Sequence, residues 1–592
     1  MSTYLAPLAD MRFVINELAG LDAVCTLPGY QDATPDTVDA ILEEAGKLAS
    51  DVIAPLNHPG DVAGCAFENG VVRTPKGFRE AYAQFVAGGW NGVPFDSAHG
   101  GMGLPWLVAT AAFEIWHAAN MAFALCPLLN QAACELLATH GSKALKAVYL
   151  DKMTSGAWTG TMNLTEPQAG SDLSRVRAKA VRHGPHYHIT GQKIFISWGE
   201  HDMTDNIVHL VLARTADAGI KGLSLFIVPK FLVGDDGTLG RRNDLRCVSI
   251  EHKLGIKASP TAVMSYGDDG GAIGYLIGEE NRGIEYMFTM MNNARLAVGL
   301  EGIGVAERAY QHALNFAGER RQGRDPNAMT NEPAPIIRHP DVRRMLLGMR
   351  AQTEAARALA YYAAAQLDIA KRHPDDKARR QSQALVDLLI PVVKAWGSDI
   401  GIDVANTAIQ VHGGTGVIEE SGVPQYVRDV RVAAIYEGTN GIQAIDLVGR
   451  KVAREQGRTA GALIAEMRAL LGKLTAAKDD DLAAIGGALA QGCDALAEAT
   501  DWIVATHATD ADAVLAGAVP YLKLAGTVAG GWMMAKAALA TAGKDDQFHA
   551  DKRVTARFYA DHLLVQAPAL AATVIGGWSA VGRFHNPATT GR

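Results

Sequence analysis

Two short segments of this chain combine residue types that can do chemistry. The first is Met162-Asn163-Leu164-Thr165-Glu166-Pro167-Gln168-Ala169-Gly170-Ser171-Asp172. The second, Ile435-Tyr436-Glu437-Gly438-Thr439-Asn440-Gly441-Ile442-Gln443, follows Arg428-Asp429 and centres on one carboxylate beside a glycine. A carboxylate withdrawn from water rises in pKa toward neutrality and becomes a useful base. Each segment alone also reads as structure, the first as a Pro/Gly turn and the second as a helix break with an exposed acid. Other chemistries lack their residues. There is no Gly-x-x-x-x-Gly-Lys-Ser/Thr, no His-Glu-x-x-His and no Gly-x-Ser-x-Gly. The 18 histidines show no ligand spacing, so no metal is expected. Gly299-x-x-Gly302-x-Gly304 and Gly413-Gly414-Thr415-Gly416 do not follow a strand of a βαβ unit, which argues against a dinucleotide fold.

The elements that must position these segments alternate between helical and β texture. Thr34-Pro35-Asp36 predicts a helix start, with a hydroxyl cap, proline in the first turn and an acid behind it. Val38, Ile41, Leu42, Ala45, Leu48, Ala49 and Val52 then recur at three- and four-residue steps. Similar periodicity, with breaks, reaches about Thr154. Residues 1–33 fit neither helix nor strand and are expected to pack on the body as an extension. Tyr187 to Ile196 reads as strand, Gly-containing turn, strand, and Ile207 to Leu212 and Leu223 to Val228 read as further β runs. A mostly antiparallel β domain is therefore expected. Helix returns near Gly283, where Ala306, Ala309, Tyr310, Ala313, Leu314 and Ala317 form one stripe. Beyond 460 the chain is Ala-rich and again helical, with Leu482, Ile485, Leu489, Cys493 and Leu496 on one face behind an acidic Asp479-Asp480-Asp481 start. The expected divisions are 1–35, 36–157, 158–280, 281–456 and 460–592.

Composition bounds the function classes. At roughly 150 residues per domain, 592 residues suggest several domains, and 48% hydrophobic with 20% charged residues excludes disorder and rods as the main state. A net charge of −8 gives no electrostatic reason to seek nucleic acid or anionic lipid. The 6 cysteines are scattered without a Cys-x-x-Cys pair, a reduced, cytosolic pattern. Met1 to Gly20 lacks a basic-then-apolar signal layout. Leu524 to Ala535, the most membrane-like stretch by eye, would span about 18 Å as a helix against a core of roughly 30 Å. A cytoplasmic protein without membrane insertion is expected.

Taken together, about 270 residues apart in a helix–β–helix chain, the two segments resemble those of the acyl-CoA dehydrogenase family. Gly100-Gly101-Met102-Gly103-Leu104, Gly191 to Ser197, Lys253-Leu254-Gly255-Ile256 and Gly278 to Gly283 fit it, as do Glu319-Arg320-Arg321 and Gln410 to Gly414. The resemblance spans roughly 36–455, and the leader and extra C-terminal region resemble the family's large-subunit branch. It implies an α+β fold with an N-terminal helical domain, a middle β domain and a C-terminal four-helix bundle, plus an additional helical domain.

The resemblance further implies FAD as cofactor and dehydrogenation of an acyl-CoA thioester to the trans-2-enoyl-CoA. Glu437 would abstract the α-proton, its backbone N–H would help bind the thioester oxygen, and FAD would take the β-hydride. Asn292-Asn293-Ala294-Arg295, where some members carry the base, has no carboxylate. By position, Met162, Leu164, Thr165, Phe195, Ser197 and Thr439 would contact FAD. Arg320, Gln410, Gly413 and Gly414 would hold its pyrophosphate and adenine from a neighbouring subunit. Ser171 and Arg295 would lie along the CoA arm, with Tyr436 and Gly438 also facing substrate. Phe195 in place of the frequent tryptophan, Gln322-Gly323-Arg324 and Asn440-Gly441 depart from the family pattern. The branch implies 3-methylthiopropionyl-CoA or short-to-medium acyl chains, electron-transfer flavoprotein as acceptor, and a homodimer. A longer-chain dehydrogenase of β-oxidation or an acyl-CoA oxidase would share these residues. A DNA-associated flavoprotein of the same fold should have a basic C-terminal region, but residues 457–592 carry 12 Lys+Arg against 13 Asp+Glu, a net charge of −1.

Overall fold

A computed structural model describes residues 4–234, 236–325 and 332–584. The N-terminal extension is helical, which corrects the expectation of an irregular leader. Helix α1 (Leu8–Phe13) runs through one π-type segment, Val14–Ala19, to Gly20 at φ +81°, and α2 (Leu21–Cys25) follows. Helices this short are marginal alone. They persist here because Met11, Val14, Ile15, Leu18, Leu21 and Val24 are buried on the body.

Helix α3 (Pro35–Leu48) starts as the sequence predicts, with Thr34 Oγ1 accepting from the Thr37 N–H at 3.3 Å. Helix α4 (Trp106–His140) is almost wholly buried. It breaks at Asn120 (φ −163°, ψ 96°), whose Oδ1 accepts from the Phe123 N–H at 3.1 Å and restarts the helix. By length and composition alone, α4 and residues 547–576 are each long and apolar enough to cross a membrane, which corrects the choice of 524–535. In α4, 89% of that apolar window is buried inside the protein, so its surface is already used by the core. For 547–576 the figure is 33%.

The middle region is an eight-stranded sheet. Its strands are β1 (Thr159–Asn163), β2 (Lys179–His183), β3 (His186–Ser197), β4 (Ile207–Arg214), β5 (Leu223–Pro229), β6 (Leu245–Ile250), β7 (Thr261–Tyr266) and β8 (Ala272–Ile277). The order is β6-β7-β3-β8-β5-β4-β1, with β2 paired to β3 and β4. Pairing is mostly antiparallel, but β1 runs parallel to β4. The expected turn at Gly191 is absent. Residues 186–197 form one strand that changes partners there: His188 pairs with Val181 and Ile273, whereas Gly191 and Gln192 pair with Tyr266 and Ser265. Gly191 has φ +136°, and a Cβ on it would lie 2.8 Å from Ala178 Cα, so glycine permits the bend and the close approach. The reversal lies instead at Gly184-Pro185, between the paired His183 and His186.

Helices α5 (Gly283–Glu319), α6 (Pro340–Arg372) and α7 (Asp376–His412) build the bundle. α5 and α7 run in the same direction and nearly touch. A Cβ on Gly302 would lie 2.1 Å from the Gly397 oxygen, and one on Gly299 2.7 Å from the Val393 oxygen. The glycines that imitate a nucleotide motif in sequence therefore serve helix packing. α8 (Val423–Val430) and α9 (Asn440–Asp446) follow, flanking the Glu437 segment.

The C-terminal region contains α10 (Asp480–Thr506), α11 (Ala518–Ala540) and α12 (Gln547–His562). Asp479 caps α10 by accepting from the Leu482 N–H at 2.9 Å. Leu482, Ile485, Leu489 and Leu496 are buried. Docking on the bundle falls mainly to α11, where Gly526 and Gly530 seat the ring of Trp396 from α7. A buried ionic cluster ties the termini to the middle. Arg357 reaches Asp10 and Glu114 at 2.5 Å and Glu307 at 2.8 Å, while Lys552 bonds Asp10 and, at 2.7 Å, Glu354. Extension, α4, bundle and C-terminal region thus share one set of charges, costly to break because any remaining ion would stay buried.

Candidate active site

Glu437 sits on a tight turn between α8 and α9 with its backbone in the left-handed region, φ +57°, followed by Gly438 at φ +82°. A non-glycine residue held there stores about 1–3 kcal/mol of strain. Surrounding groups hold it. Arg295 Nε and Gln443 Nε2 donate to the Glu437 carbonyl at 3.3 and 3.1 Å, and Lys394 Nζ donates to the Gly438 carbonyl at 2.8 Å. The Tyr436 hydroxyl donates to Glu301 at 2.5 Å. Thr439 caps α9, its Oγ1 accepting from the Ile442 N–H at 3.2 Å. Asn440 turns inward, accepting from Lys394 and donating to Asp399 at 2.7 Å.

Glu437 as a residue is half-buried, and its carboxyl end lies among protein atoms. Burial raises its pKa, and the charges of Arg295 and Lys394 oppose the rise. Among the described residues its backbone N–H donates to no backbone carbonyl, so this donor is available to a ligand. Arg295 also lines a cavity of about 240 Å³ between α4, α5 and α7. Asn292 and Arg295 stand on its polar side, and Phe113, Leu128, Leu296, Leu300 and Ile390 are among its apolar walls.

A second group of predicted residues meets at one edge of the sheet. The Ile194 N–H donates to the Thr165 carbonyl at 2.9 Å, laying the segment after β1 beside the end of β3. Lys193, fully buried, donates to the Leu164 carbonyl and to Glu166, both at 2.8 Å. Burial pushes Glu166 upward, but Lys193 and the N–H groups of Arg177 and Ala178 outweigh it and hold the carboxyl below its usual range. This pair, which sequence reasoning missed, fixes the loop carrying Thr165. Phe195 projects from the resulting ledge, 59% exposed at φ +58°, next to half-buried Ser197. Buried Trp198 has no partner for Nε1 among the described residues. Leu164 is buried and Met162 half-buried in β1.

Arg320, Gln410, Gly413 and Gly414 lie apart from both groups. They are exposed at the shared far end of α5 and α7, where Phe316 stacks on His412 at 4.3 Å. Ser171 is exposed on the loop before the Leu173–Arg175 turn and has no bond to Arg295.

Family models match the chain in sequence. They are acyl-CoA dehydrogenase N-terminal domain over 35–157, middle domain over 161–268 and C-terminal domain over 281–452, then an acetyl-CoA dehydrogenase C-terminal-like domain over 463–583. The chain belongs to the acyl-CoA dehydrogenase family. It is 49% identical to 3-methylmercaptopropionyl-CoA dehydrogenase of Ruegeria pomeroyi, covering 96% of this chain and 97% of that one. It is 34% identical to a butyryl-CoA dehydrogenase of Syntrophomonas wolfei, over 94% of each. An acyl-CoA dehydrogenase of Bacillus anthracis complexed with FAD superposes with a TM-score of 0.73 over 98% of this chain and 93% of that one, at 19% identity. This acyl-CoA dehydrogenase is an FAD-dependent oxidoreductase. The exposed Phe195 ledge fits that cofactor, since it offers a large ring, a hydroxyl and backbone groups to a flat ligand.

Two charged residues near Glu437, Lys394 and Glu301, escaped sequence reasoning. Each left a signal. Lys394 is the lone charge in the apolar run Leu388 to Gly397, and Glu301 the lone charge in Leu296 to Ala306. Glu301 lies about 1.7 turns beyond Arg295 on α5 and is buried, which puts a further carboxyl close behind the Glu437 turn.

Proposed function

We propose that this dehydrogenase desaturates a short or medium acyl-CoA, 3-methylthiopropionyl-CoA first among them, with Glu437 as the base. The observation that carries this reading is the strained turn, which aims one desolvated carboxyl and one free N–H from the same residue. The carboxylate accepts the α-proton. The Glu437 N–H donates to the thioester oxygen, where negative charge develops as the proton leaves. Bound FAD supplies the acceptor for the β-hydride. Arg295 and Gln443, by holding the Glu437 carbonyl, keep the N–H and the carboxyl oriented. The apolar walls of the cavity suit a neutral acyl chain, and Asn292 and Arg295 on its polar side suit the CoA arm, with Ser171, Tyr436 and Gly438 along it.

Met162, Leu164, Thr165, Phe195, Ser197 and Thr439 would hold the flavin. Arg320, Gln410, Gly413 and Gly414, exposed and distant within one chain, would serve the site of a second copy. That reading makes the enzyme a homodimer, with electron-transfer flavoprotein as its acceptor and the cytoplasm as its compartment. Glu437→Gln tests the base: the variant should retain FAD and acyl-CoA binding. It should lose at least the roughly 10²–10⁴-fold typical of general-base catalysis. A variant that retains FAD and wild-type turnover would transfer the role to another residue.

A further inference from the structure

Lys394 is a fully buried lysine on α7. Such residues are rare unless paired. Its hydrogen bonds go to the Gly438 carbonyl at 2.8 Å and Asn440 Oδ1 at 2.9 Å, and among the described residues no carboxylate forms an ion pair with it. An apolar side chain of similar length would suit the α5–α7 core better if packing were its only duty. Something else retains the charge.

The groups facing it come from every neighbouring element. α5 presents Glu301 and Arg295, the turn presents Tyr436 and Glu437, and α7 itself presents Asp399. Asp446 acts on Arg295 from the end of α9 and Arg450 from just beyond it, and Lys523 acts on Asp399 from α11. Glu301 accepts from Tyr436, and its Oε1 has no partner among the described residues. Burial pushes the Glu301 carboxyl well above the ordinary carboxylate range, with the Tyr436 hydroxyl and Lys394 opposing the rise. The charge of Lys394 acts on Glu437 as well, lowering its carboxyl against the effect of burial.

We propose that Lys394 is a positioning residue for the base: it pins the left-handed turn through Gly438 and Asn440 and supplies positive charge that keeps Glu437 ionised. Two faces of one turn are then fixed from two helices, by Glu301 of α5 through the Tyr436 hydroxyl and by Lys394 of α7. Burial brings Lys394 down to about 8, against the opposing pull of Glu301, Glu437 and Asp399, so it remains charged at neutral pH. The inference rests on Glu437 being the base.

The test is the pH dependence of kcat/KM, read with a saturated acyl-CoA and an artificial electron acceptor on FAD-loaded protein. Lys394→Met should move the acid limb upward by about one pH unit, an approximately tenfold loss below the limb that vanishes above it. Lys394→Arg should bring the limb back toward wild type. Tyr436→Phe, which removes a hydroxyl and no formal charge, should lower kcat and leave the limb in place; it carries the test if Lys394→Met does not hold FAD. An unmoved limb in Lys394→Met would overturn the inference, as would an equal shift in Tyr436→Phe. Glu437→Gln separates the two readings. If it is inactive while the limb stays put, only the role of Lys394 falls; if it is active, the base assignment falls first.

Discussion

Gly302 sits where α5 touches α7, and filling its missing side chain should damage both stability and turnover. A Cβ there would lie 2.1 Å from the Gly397 oxygen and 2.7 Å from Ser398 Cα. A carbon–oxygen contact needs about 3.3 Å, so Gly302→Ala must part the helices by about 1 Å. The obstacle is backbone, which cannot swing aside. Overpacking of this kind costs about 1–3 kcal/mol. The same helix supplies a control: nothing lies within 4 Å of a Cβ at Gly318. Gly318→Ala should gain about 0.5–1 kcal/mol from helix propensity. The displacement also reaches the site, because Arg295 and Glu301 ride on α5 and Lys394 on α7. A misplacement of about 1 Å can cost on the order of 10²-fold in rate. Thermal unfolding of the FAD-loaded protein, followed by flavin fluorescence, should order the midpoints as Gly318→Ala, wild type, Gly302→Ala. Turnover should collapse only in Gly302→Ala. A Gly302→Ala enzyme as stable and as fast as wild type would refute the claim that this close approach sets the geometry of the base.

The pH dependence of wild type follows from the burial of Glu437. kcat/KM should climb with pH through an apparent pKa above the ordinary 4.5, because only the ionised carboxyl can take the α-proton. The linked stability has the opposite sign: Glu437 favours the fold below its unfolded pKa and loses that contribution as pH rises through the folded one. Glu437→Gln should therefore gain on wild type in unfolding midpoint as pH is raised. Light scattering should give the mass of two chains; one chain would leave Arg320 and Gly413-Gly414 without a site to serve.

Some features were legible because they are local. The Thr34 and Asp479 caps each satisfy the N–H three residues on, so type and spacing suffice to mark these helix starts. The Glu437 segment is also local, and its Gly438 marks the turn the structure confirms. The strand through Gly191 was not legible, because a glycine there can reverse the chain or bend it. The choice fell to β2, the preceding hairpin strand, and to β7 and β8, which come from more than sixty residues further along the chain. The leader was hidden for the same reason. Its short helices gain stability only on the body, where Asp10 meets Arg357 and Lys552. Residue types and spacing along the chain carried the resemblance that makes Glu437 the candidate base and the Met162 and Phe195 segments candidates for FAD, because such motifs are short and local. What holds Glu437 emerges only in the folded chain. Glu301 and Lys394 are ordinary charges until Gly299, Gly302 and Gly397 let α5 and α7 run close and parallel, and burial in that seam is what lets their charges act on Glu437 more strongly than they would in water.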